Sequence, residues 1–156
     1  MITLNFMTIT RAGISDLETV AELFDMYRRF YEQAPDIVAA REFIFQRMTK
    51  NESVIFLARD EAGNGMGFVQ LYPSFTSVGL KRMWILNDLF VHADHRQKGV
   101  AERLIDECRK LSIETSGAGL ILETRNSNTP ARNLYIKYGF EYDTEHAYYF
   151  LGTSEK

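Results

Sequence analysis

The segment RMWILNDLFVHADHRQKGVAERLI constrains the fold most, because a long apolar run passes through a short charged turn directly into a helical pattern. The run over residues 82–92 predicts a strand that is buried on both faces. From about Lys98 to Thr115 the apolar residues recur at helical spacing. They are Ala101, Leu104, Ile105, Cys108 and Leu111. A strand, turn and helix in mid-chain require a sheet with a helix packed against it.

Hydrophobic periodicity in the rest of the chain predicts six further strands and three further helices. The strands are predicted at 6–11, 53–60, 66–75 and 119–125, with two more after Gly139, the last at 148–151. The helices are predicted at 16–33, 36–50 and 128–140. Hairpins come first and a strand–helix–strand unit comes later, so we expect an α/β (α+β) protein with a mixed sheet.

Composition limits the kinds of partner. A length of 156 residues fits one domain, 1–156. The net charge of −3 leaves no basic footprint, so nucleic acid is not expected as the main partner. One cysteine, Cys108, excludes an intramolecular disulfide and favours the cytoplasm. We see no signal peptide and no membrane span, and we predict no metal site.

The turn RQKGVA has features of an anion site. Amides at the start of a helix have no internal partners, and the helix dipole favours negative charge there. Gly99 lets a ligand approach the backbone, while Arg96 and Lys98 add positive charge. An ordinary helix start with a solvated basic turn remains the alternative. The dinucleotide-binding fingerprint is set aside, because it needs three glycines and this turn has one.

Two blocks together resemble the GCN5-related N-acetyltransferase superfamily. LNDLFVHADHRQKGVAERLI is similar to the strand, R/Q-x-x-G-x-G/A loop and helix of that family, and ETRNSNTPARNLYIKYGFE is similar to its N-x-x-A-x-x-x-Y-x-x-x-G-F block. The chain most resembles the bacterial branch near small-amine and polyamine acetyltransferases. The resemblance implies a mostly antiparallel mixed sheet of about seven strands, four flanking helices and a splayed pair of strands that holds acetyl-CoA.

The resemblance also implies which residues bind acetyl-CoA. Backbone groups of Leu89, Phe90 and Val91 would pair with the pantetheine arm as an added strand. Amides of the turn would hold the pyrophosphate, and residues of the last helix would contact the arm and line its thioester end. The turn residues are Arg96, Gln97, Lys98, Gly99, Val100 and Ala101, and the helix residues are Asn128, Ala131 and Tyr135.

Catalysis in such enzymes needs an acid and a base. The resemblance gives Tyr135 the role of general acid toward the leaving thiolate. The identity of the general base is left open between two carboxylates. Some relatives carry a glutamate where this chain has Asn87, which can position a water but cannot accept the proton. Asp88 is adjacent, and a bulge in the strand would re-aim its side chain, while Glu123 on the neighbouring strand is the second candidate.

The acceptor is expected to be a cation. Near the junction of the first two helices lie Tyr27, Tyr31, Glu32 and Asp36. Aromatic rings together with carboxylates, including Asp88 and Glu123, suit an amine. Tyr27 fits a core position as well. We expect an N-acetyltransferase for a primary amine of a small molecule, polyamine or amino-acid-like, and a homodimer. Acetylation of a protein amine and a non-catalytic acyl-CoA sensor are the alternatives.

Overall fold

The computed structural model describes residues 6–154, which form two compact units divided after Glu123. The first unit holds five strands and three helices, and the second holds one helix. The strands are β1 (Thr8–Arg11), β2 (Val54–Arg59), β3 (Gly65–Thr76), β4 (Lys81–Val91) and β5 (Leu120–Ile121). The helices are α1 (Leu17–Phe30), α2 (Ile37–Thr49), α3 (Val100–Glu114) and α4 (Thr129–Tyr138), with short 3₁₀ turns at Ile14–Asp16 and Ala93–His95.

The strands form one open mixed sheet in the order β1-β2-β3-β4-β5. All neighbours are antiparallel except β4 and β5, which run parallel. The mixed sheet and four helices match the predicted fold class. The predicted count of about seven strands is wrong, since the described residues contain five.

Both missing strands were predicted after Gly139, where the structure has irregular backbone. Tyr148, Tyr149 and Phe150 are strongly exposed there. Aromatic residues give this segment strand propensity, but a strand also needs a partner for its backbone groups. The predicted strand 119–125 is likewise reduced to Leu120–Ile121, which pair with Trp84 and Ile85 of β4.

Each face of the sheet is covered by helices. On one face, α1 and α2 bury an apolar cluster against β2, β3 and β4, including Leu57, Phe68 and Phe90. On the other face, α3 packs on the same three strands. Trp84 marks that second face, since its indole nitrogen donates to Thr115 at the end of α3 at 2.9 Å. Side chains of β4 therefore enter the interior on both sides, as the sequence predicts.

A β-bulge at Asn87 reverses the direction of the side chains that follow it. Leu86 pairs with Leu71 of β3, but Asp88 pairs with Gln70, so one extra residue lies on β4 between the two pairs. Leu86 and Asp88 therefore point to opposite faces of the sheet. Asp88 lies on the face that α1 and α2 cover, as the sequence analysis allowed for a bulged strand.

The second unit contains α4 and the segment that follows it. Asn128 caps α4, because its side-chain oxygen accepts from the amide of Ala131 at 3.3 Å. The helix ends at Gly139, which has a left-handed backbone with φ 110°. Within residues 6–154, no helix is long and apolar enough to cross a membrane.

Candidate active site

Asp88 is a buried acid at the bulge, with 4% of its surface exposed. The Gln70 amide nitrogen donates to its Oδ2 at 2.6 Å, and the Asn87 amide nitrogen donates to its Oδ1 at 3.1 Å. The Tyr27 hydroxyl of α1 lies beside this group, where it donates to the backbone carbonyl of Asn87 at 3.5 Å and favours the charged form of Asp88. Two side-chain amides thus donate to one carboxylate, and a tyrosine hydroxyl from a third element lies beside it.

Two opposing effects act on the charge of this carboxylate. Burial raises the pKa of Asp88 above its ordinary value of 3.8, while hydrogen bonds from Gln70, Tyr27 and Asn87 act to lower it. Burial disfavours the charged form, and donors favour it. The carboxylate consequently binds a proton more readily than a solvated aspartate, yet has partners that hold it when it is ionised. Such an environment is common for acids and bases in active sites.

Gln70 connects Asp88 to two further polar groups of the same face. Its Oε1 accepts from the Ser53 hydroxyl at 2.9 Å, and its Nε2 also lies 3.2 Å from the Tyr72 hydroxyl oxygen. Burial and the charge of Asp88 raise the pKa of Tyr72 to about 12, against the opposing charge of Arg47. Tyr72 therefore keeps its proton across the neutral range.

Gln70, Tyr72 and Ser53 are not among the site residues predicted from the sequence. Gln70 carried a usable signal, because it is a lone polar residue within the apolar stretch MGFVQLY of a strand. A buried amide in such a position needs hydrogen-bond partners. Tyr72 and Ser53 carried no comparable signal, since tyrosine is common within strands and serine is common in the turns that precede them.

Aromatic side chains surround the approach to Asp88. The Tyr27 ring lies edge to face with Phe68 and Phe90, at centroid distances of 6.1 and 6.5 Å. Tyr31 lies edge to face with Tyr27 at 5.0 Å. Tyr27 thus belongs to the apolar cluster and also reaches the polar group, so the core interpretation and the site interpretation both hold for it.

The predicted acids outside β4 lie in other surroundings. Glu32 is exposed in the turn after α1, with a left-handed backbone of φ 63°. Glu123 is exposed, two positions after the end of β5. Asp36 caps α2 by accepting from the Ala39 amide at 2.9 Å. Asp88 is therefore the buried carboxylate among the predicted candidates.

The outer edge of β4 is open over the predicted pantetheine segment. In the described part of the chain, β5 pairs with β4 at Trp84 and Ile85 alone, while β4 continues to Val91. The backbone of Leu89 and Phe90 therefore has no strand partner on that side. The Val91 carbonyl accepts from the Arg96 side chain at 3.0 Å, so part of this edge is already engaged.

The basic side chains of the turn fold back on the turn itself. Besides Val91, the Arg96 guanidinium lies about 6 Å from the Phe30 and Phe90 ring centres, at 6.0 and 5.9 Å. The Lys98 ammonium donates to the Asp94 carbonyl at 2.9 Å. Both cations thus bond to nearby carbonyls, and their predicted contribution of charge to an anion site stays a prediction.

The backbone of the turn has the shape that an anion site requires. Gly99 precedes α3 with a left-handed φ of 76°, and Gln97 has a φ of 59°. A Cβ at Gly99 would have no atom within 4 Å. Among the described residues, the amides of Gln97, Lys98 and Gly99 donate to no backbone carbonyl. Open space thus faces a row of amides at the start of a 15-residue helix, α3.

The second unit carries the remaining predicted residues. Ala131, Tyr135 and Tyr138 are half-buried along one face of α4. The Tyr135 ring lies edge to face with Phe140, at 5.5 Å between centroids. Asn128 caps the helix, a role that the sequence analysis did not assign to it.

Comparisons with known proteins identify the class. Residues 20–140 match the profile of the Acetyltransferase (GNAT) family. An uncharacterized N-acetyltransferase of Bacillus subtilis, YhfO, is 42% identical over 150 residues, which cover 96% of this chain and 100% of that protein.

Solved structures agree at the level of the fold. The crystal structure of a probable acetyltransferase has a TM-score of 0.90 at 37% identity, covering 96% of this chain and 99% of the other. An aminoglycoside N-acetyltransferase solved in complex with CoA has a TM-score of 0.81 at 19% identity, with 99% of both chains covered, which shows the fold alone. The protein is an acetyltransferase. It belongs to the GNAT family, as the two sequence blocks predict.

Proposed function

We propose that the enzyme transfers an acetyl group from acetyl-CoA to the primary amine of a small cationic molecule, by direct attack of that amine. One observation carries this proposal. A carboxylate, Asp88, is buried near aromatic rings and held by two amide donors, on the strand whose outer edge is open. A buried carboxylate in this environment can pair with a protonated amine and then remove its proton, so that the amine attacks in its neutral form.

Asp88 acts as the general base. An alkyl ammonium has no lone pair, and its pKa of about 10 keeps it protonated at neutral pH. The carboxylate first pairs with the ammonium and then takes its proton, directly or through one water. The side-chain nitrogen of Asn87 donates to Asp88. The side-chain oxygen of the same amide is proposed to position that water.

The acceptor is held by rings and by charge. Tyr27 and Tyr31 stack edge to face beside Phe90, and such rings bind alkyl ammonium groups on their faces. Glu32 and Glu123, both exposed, are proposed to contact a second amine of a longer acceptor. A polyamine or an amino-acid-like amine fits this set, and polyamines fit it better because each carboxylate finds a partner.

The turn before α3 and the edge of β4 are proposed to bind acetyl-CoA, whose thioester supplies the activated acetyl group. The free amides and the open space at Gly99 fit a pyrophosphate. The unpaired edge at Leu89 and Phe90 fits the amide groups of a pantetheine arm. Gln97, Lys98, Val100 and Ala101 contribute backbone amides, while Arg96 holds the turn against Val91.

Residues of α4 complete the proposed chemistry. Tyr135 donates a proton to the departing thiolate, and Ala131 and Asn128 contact the cofactor arm. Support comes from the position of all three within the matched family region. An amide of Phe90 or Val91 would donate to the oxygen on which negative charge develops.

A panel assay tests the proposal. The purified protein is incubated with acetyl-CoA and polyamines, amino acids, aminoglycosides and a lysine-containing peptide, and thiol release is followed. Highest kcat/KM on a small diamine or polyamine supports it. A preference for the peptide favours acetylation of a protein amine, and tight CoA binding in calorimetry without turnover on any amine favours a sensor.

The protein is proposed to be located in the cytoplasm and to form a homodimer. The single cysteine, Cys108, is buried, and burial raises the pKa of its thiol to about 12, so it is kept as an unreactive thiol. Light scattering of the purified protein tests the dimer, since a monomer mass at micromolar concentration contradicts it.

A further inference from the structure

Gln70 is a fully buried amide in the middle of an apolar strand. Both ends of the amide are engaged, the oxygen by the Ser53 hydroxyl at 2.9 Å and the nitrogen by Asp88 at 2.6 Å. Burying an amide costs free energy that only such partners offset. An aliphatic side chain would fill this position at less cost, so the amide has a specific task toward its partners.

The donor and acceptor roles in these hydrogen bonds define which end of the Gln70 amide faces Asp88. A carboxylate can only accept hydrogen bonds. Gln70 therefore has to present its NH₂ group to Asp88, which leaves its oxygen toward β2. The Ser53 hydroxyl donates to that oxygen and satisfies it, while the carboxylate disfavours the flipped amide, which would place an oxygen against it.

The bulge at Asn87 creates the contact. In the register before the bulge, Leu86 faces Leu71, and an undistorted strand would turn Asp88 toward the same side as Leu86. The extra residue instead places Asp88 opposite Gln70. The amide and the bulge together give the carboxylate one defined orientation.

Several ionisable or polar groups face Asp88 from the elements packed around it. Tyr27 comes from α1 and Asn87 from β4 itself. Tyr72 lies on β3, and its own pKa responds both to Asp88 and to Arg47 of α2. Arg47 is paired with Glu52 at 2.7 Å. The Gln70 nitrogen, at 2.6 Å, makes a shorter hydrogen bond to the carboxylate than the Asn87 nitrogen does at 3.1 Å.

We propose that Gln70, anchored by Ser53, is a positioning residue that holds Asp88 ionised and correctly oriented to accept the proton of the acceptor amine. This inference rests on the proposed role of Asp88 as general base. Gln70 does not touch the substrate. It acts through the carboxylate alone.

The test replaces Gln70 by methionine, which has similar length and no hydrogen bonds. Loss of one hydrogen bond to a charged group should move the acidic limb of the kcat/KM profile upward by about 1–2 pH units. On the acidic limb itself, kcat/KM should fall about tenfold or more relative to wild type at the same pH. In an Asp88→Asn background the same Gln70→Met change should cause no further loss of kcat.

Ser53 provides a matched pair of variants. Ser53→Ala should shift the acidic limb in the same direction by a smaller amount, and Ser53→Thr, which keeps the hydroxyl, should restore the wild-type profile. An unshifted limb in Gln70→Met, or an equal loss of kcat with and without Asp88, overturns the proposal and leaves Gln70 a packing role.

One measurement separates failure of this inference from failure of the proposed function. The carboxyl ¹³C signal of Asp88, assigned with Asp88→Asn, is titrated in wild type and in Gln70→Met without any substrate. A higher pKa in Gln70→Met supports the coupling even if no amine is acetylated, in which case only the proposed function fails. An unchanged pKa overturns the inference even in an active enzyme.

Discussion

Asp88 faces Gln70 across β4 and β3, with 2.6 Å between the carboxylate oxygen and the amide nitrogen. The contact joins two strands at the point where one of them carries an extra residue. A polar pair in the interior is tolerated only if it is fully hydrogen-bonded. Here it lies beside the open end of β4, where the proposed chemistry needs a proton acceptor.

Replacing Asp88 by asparagine should lower kcat/KM by about 10²–10⁴-fold, the usual range for loss of a general base. The side chain keeps its size and loses its ability to take a proton. Wild-type activity should fall as pH decreases through the raised pKa of Asp88, and this limb should be absent in the variant. The pH dependence of kcat/KM for both proteins checks this.

Glu123→Gln is the matched control for that experiment, because it removes the second candidate base by the same chemical change. It should retain a kcat within a few fold of wild type. A large loss of kcat in Glu123→Gln together with an active Asp88→Asn would mean that Glu123, and not Asp88, is the general base.

The same Asp88→Asn change should stabilise the fold at high pH. Because burial raises the pKa of Asp88 above 3.8, the folded protein binds this proton more tightly than the unfolded chain does. The stability from this group is thus full below roughly pH 4 and is lost as pH rises through the folded pKa. The variant should gain about 0.5–2 kcal/mol in free energy of unfolding at pH 8.

Urea unfolding at pH 8 and at pH 4 checks the sign. At pH 4 the two proteins should differ less, because more of the wild-type carboxyl is protonated at pH 4 than at pH 8. An equal difference at both pH values would mean that the charge of Asp88 carries no cost in the folded protein.

The sequence predicted the elements whose signals are local. Helices α2 and α3 and strands β2 to β4 lie within a few residues of their expected bounds, because periodicity and turn residues act over short ranges. Helix α1 ends earlier than expected, at Phe30, because Glu32 takes a left-handed backbone. The strands expected after Gly139 are absent from the described residues, since strand pairing depends on a partner far away in sequence.

The candidate site shows the same difference between residues with a local sequence signal and residues whose role depends on distant contacts. Asp88 was identified from its position beside Asn87, and the resemblance suggested that a bulge was needed to turn it. Gln70 was missed because its role depends on the register of two strands, and it is 18 positions away from Asp88 in the sequence. Arg96 and Lys98 were assigned to an anion from their charge, while their actual hydrogen bonds go to carbonyls of the turn.

Tyr135→Phe should lower kcat by about 10²-fold or more and leave CoA affinity nearly unchanged, because only the proton donor is removed. Its ring contact with Phe140 does not need the hydroxyl. Steady-state kinetics and calorimetry with CoA provide the two readouts. Tyr138→Phe is the control, since this half-buried tyrosine lies on the same face of α4 and should keep wild-type kcat.

A loss of equal size in Tyr138→Phe would point to general damage of α4. An unchanged kcat in Tyr135→Phe would remove this residue from the acid role and leave the thiolate to depart without a proton.

Gly99→Ala should weaken CoA binding by more than its effect on folding explains. The backbone at Gly99 has a φ of 76°, where a Cβ costs about 1–2 kcal/mol. The added methyl meets no protein atom within 4 Å, so it would occupy space in front of the helix start that the proposed pyrophosphate site needs. We expect at least a tenfold higher Kd for CoA by calorimetry.

Gly63→Ala separates the two effects. Gly63 lies in the turn between β2 and β3 with a φ of 85°, and a Cβ there also meets nothing within 4 Å. Both variants should therefore lose similar stability in urea, because both impose the same backbone strain. Only Gly99→Ala should lose CoA affinity. If the two variants bind CoA equally well, the amides before α3 do not hold the pyrophosphate.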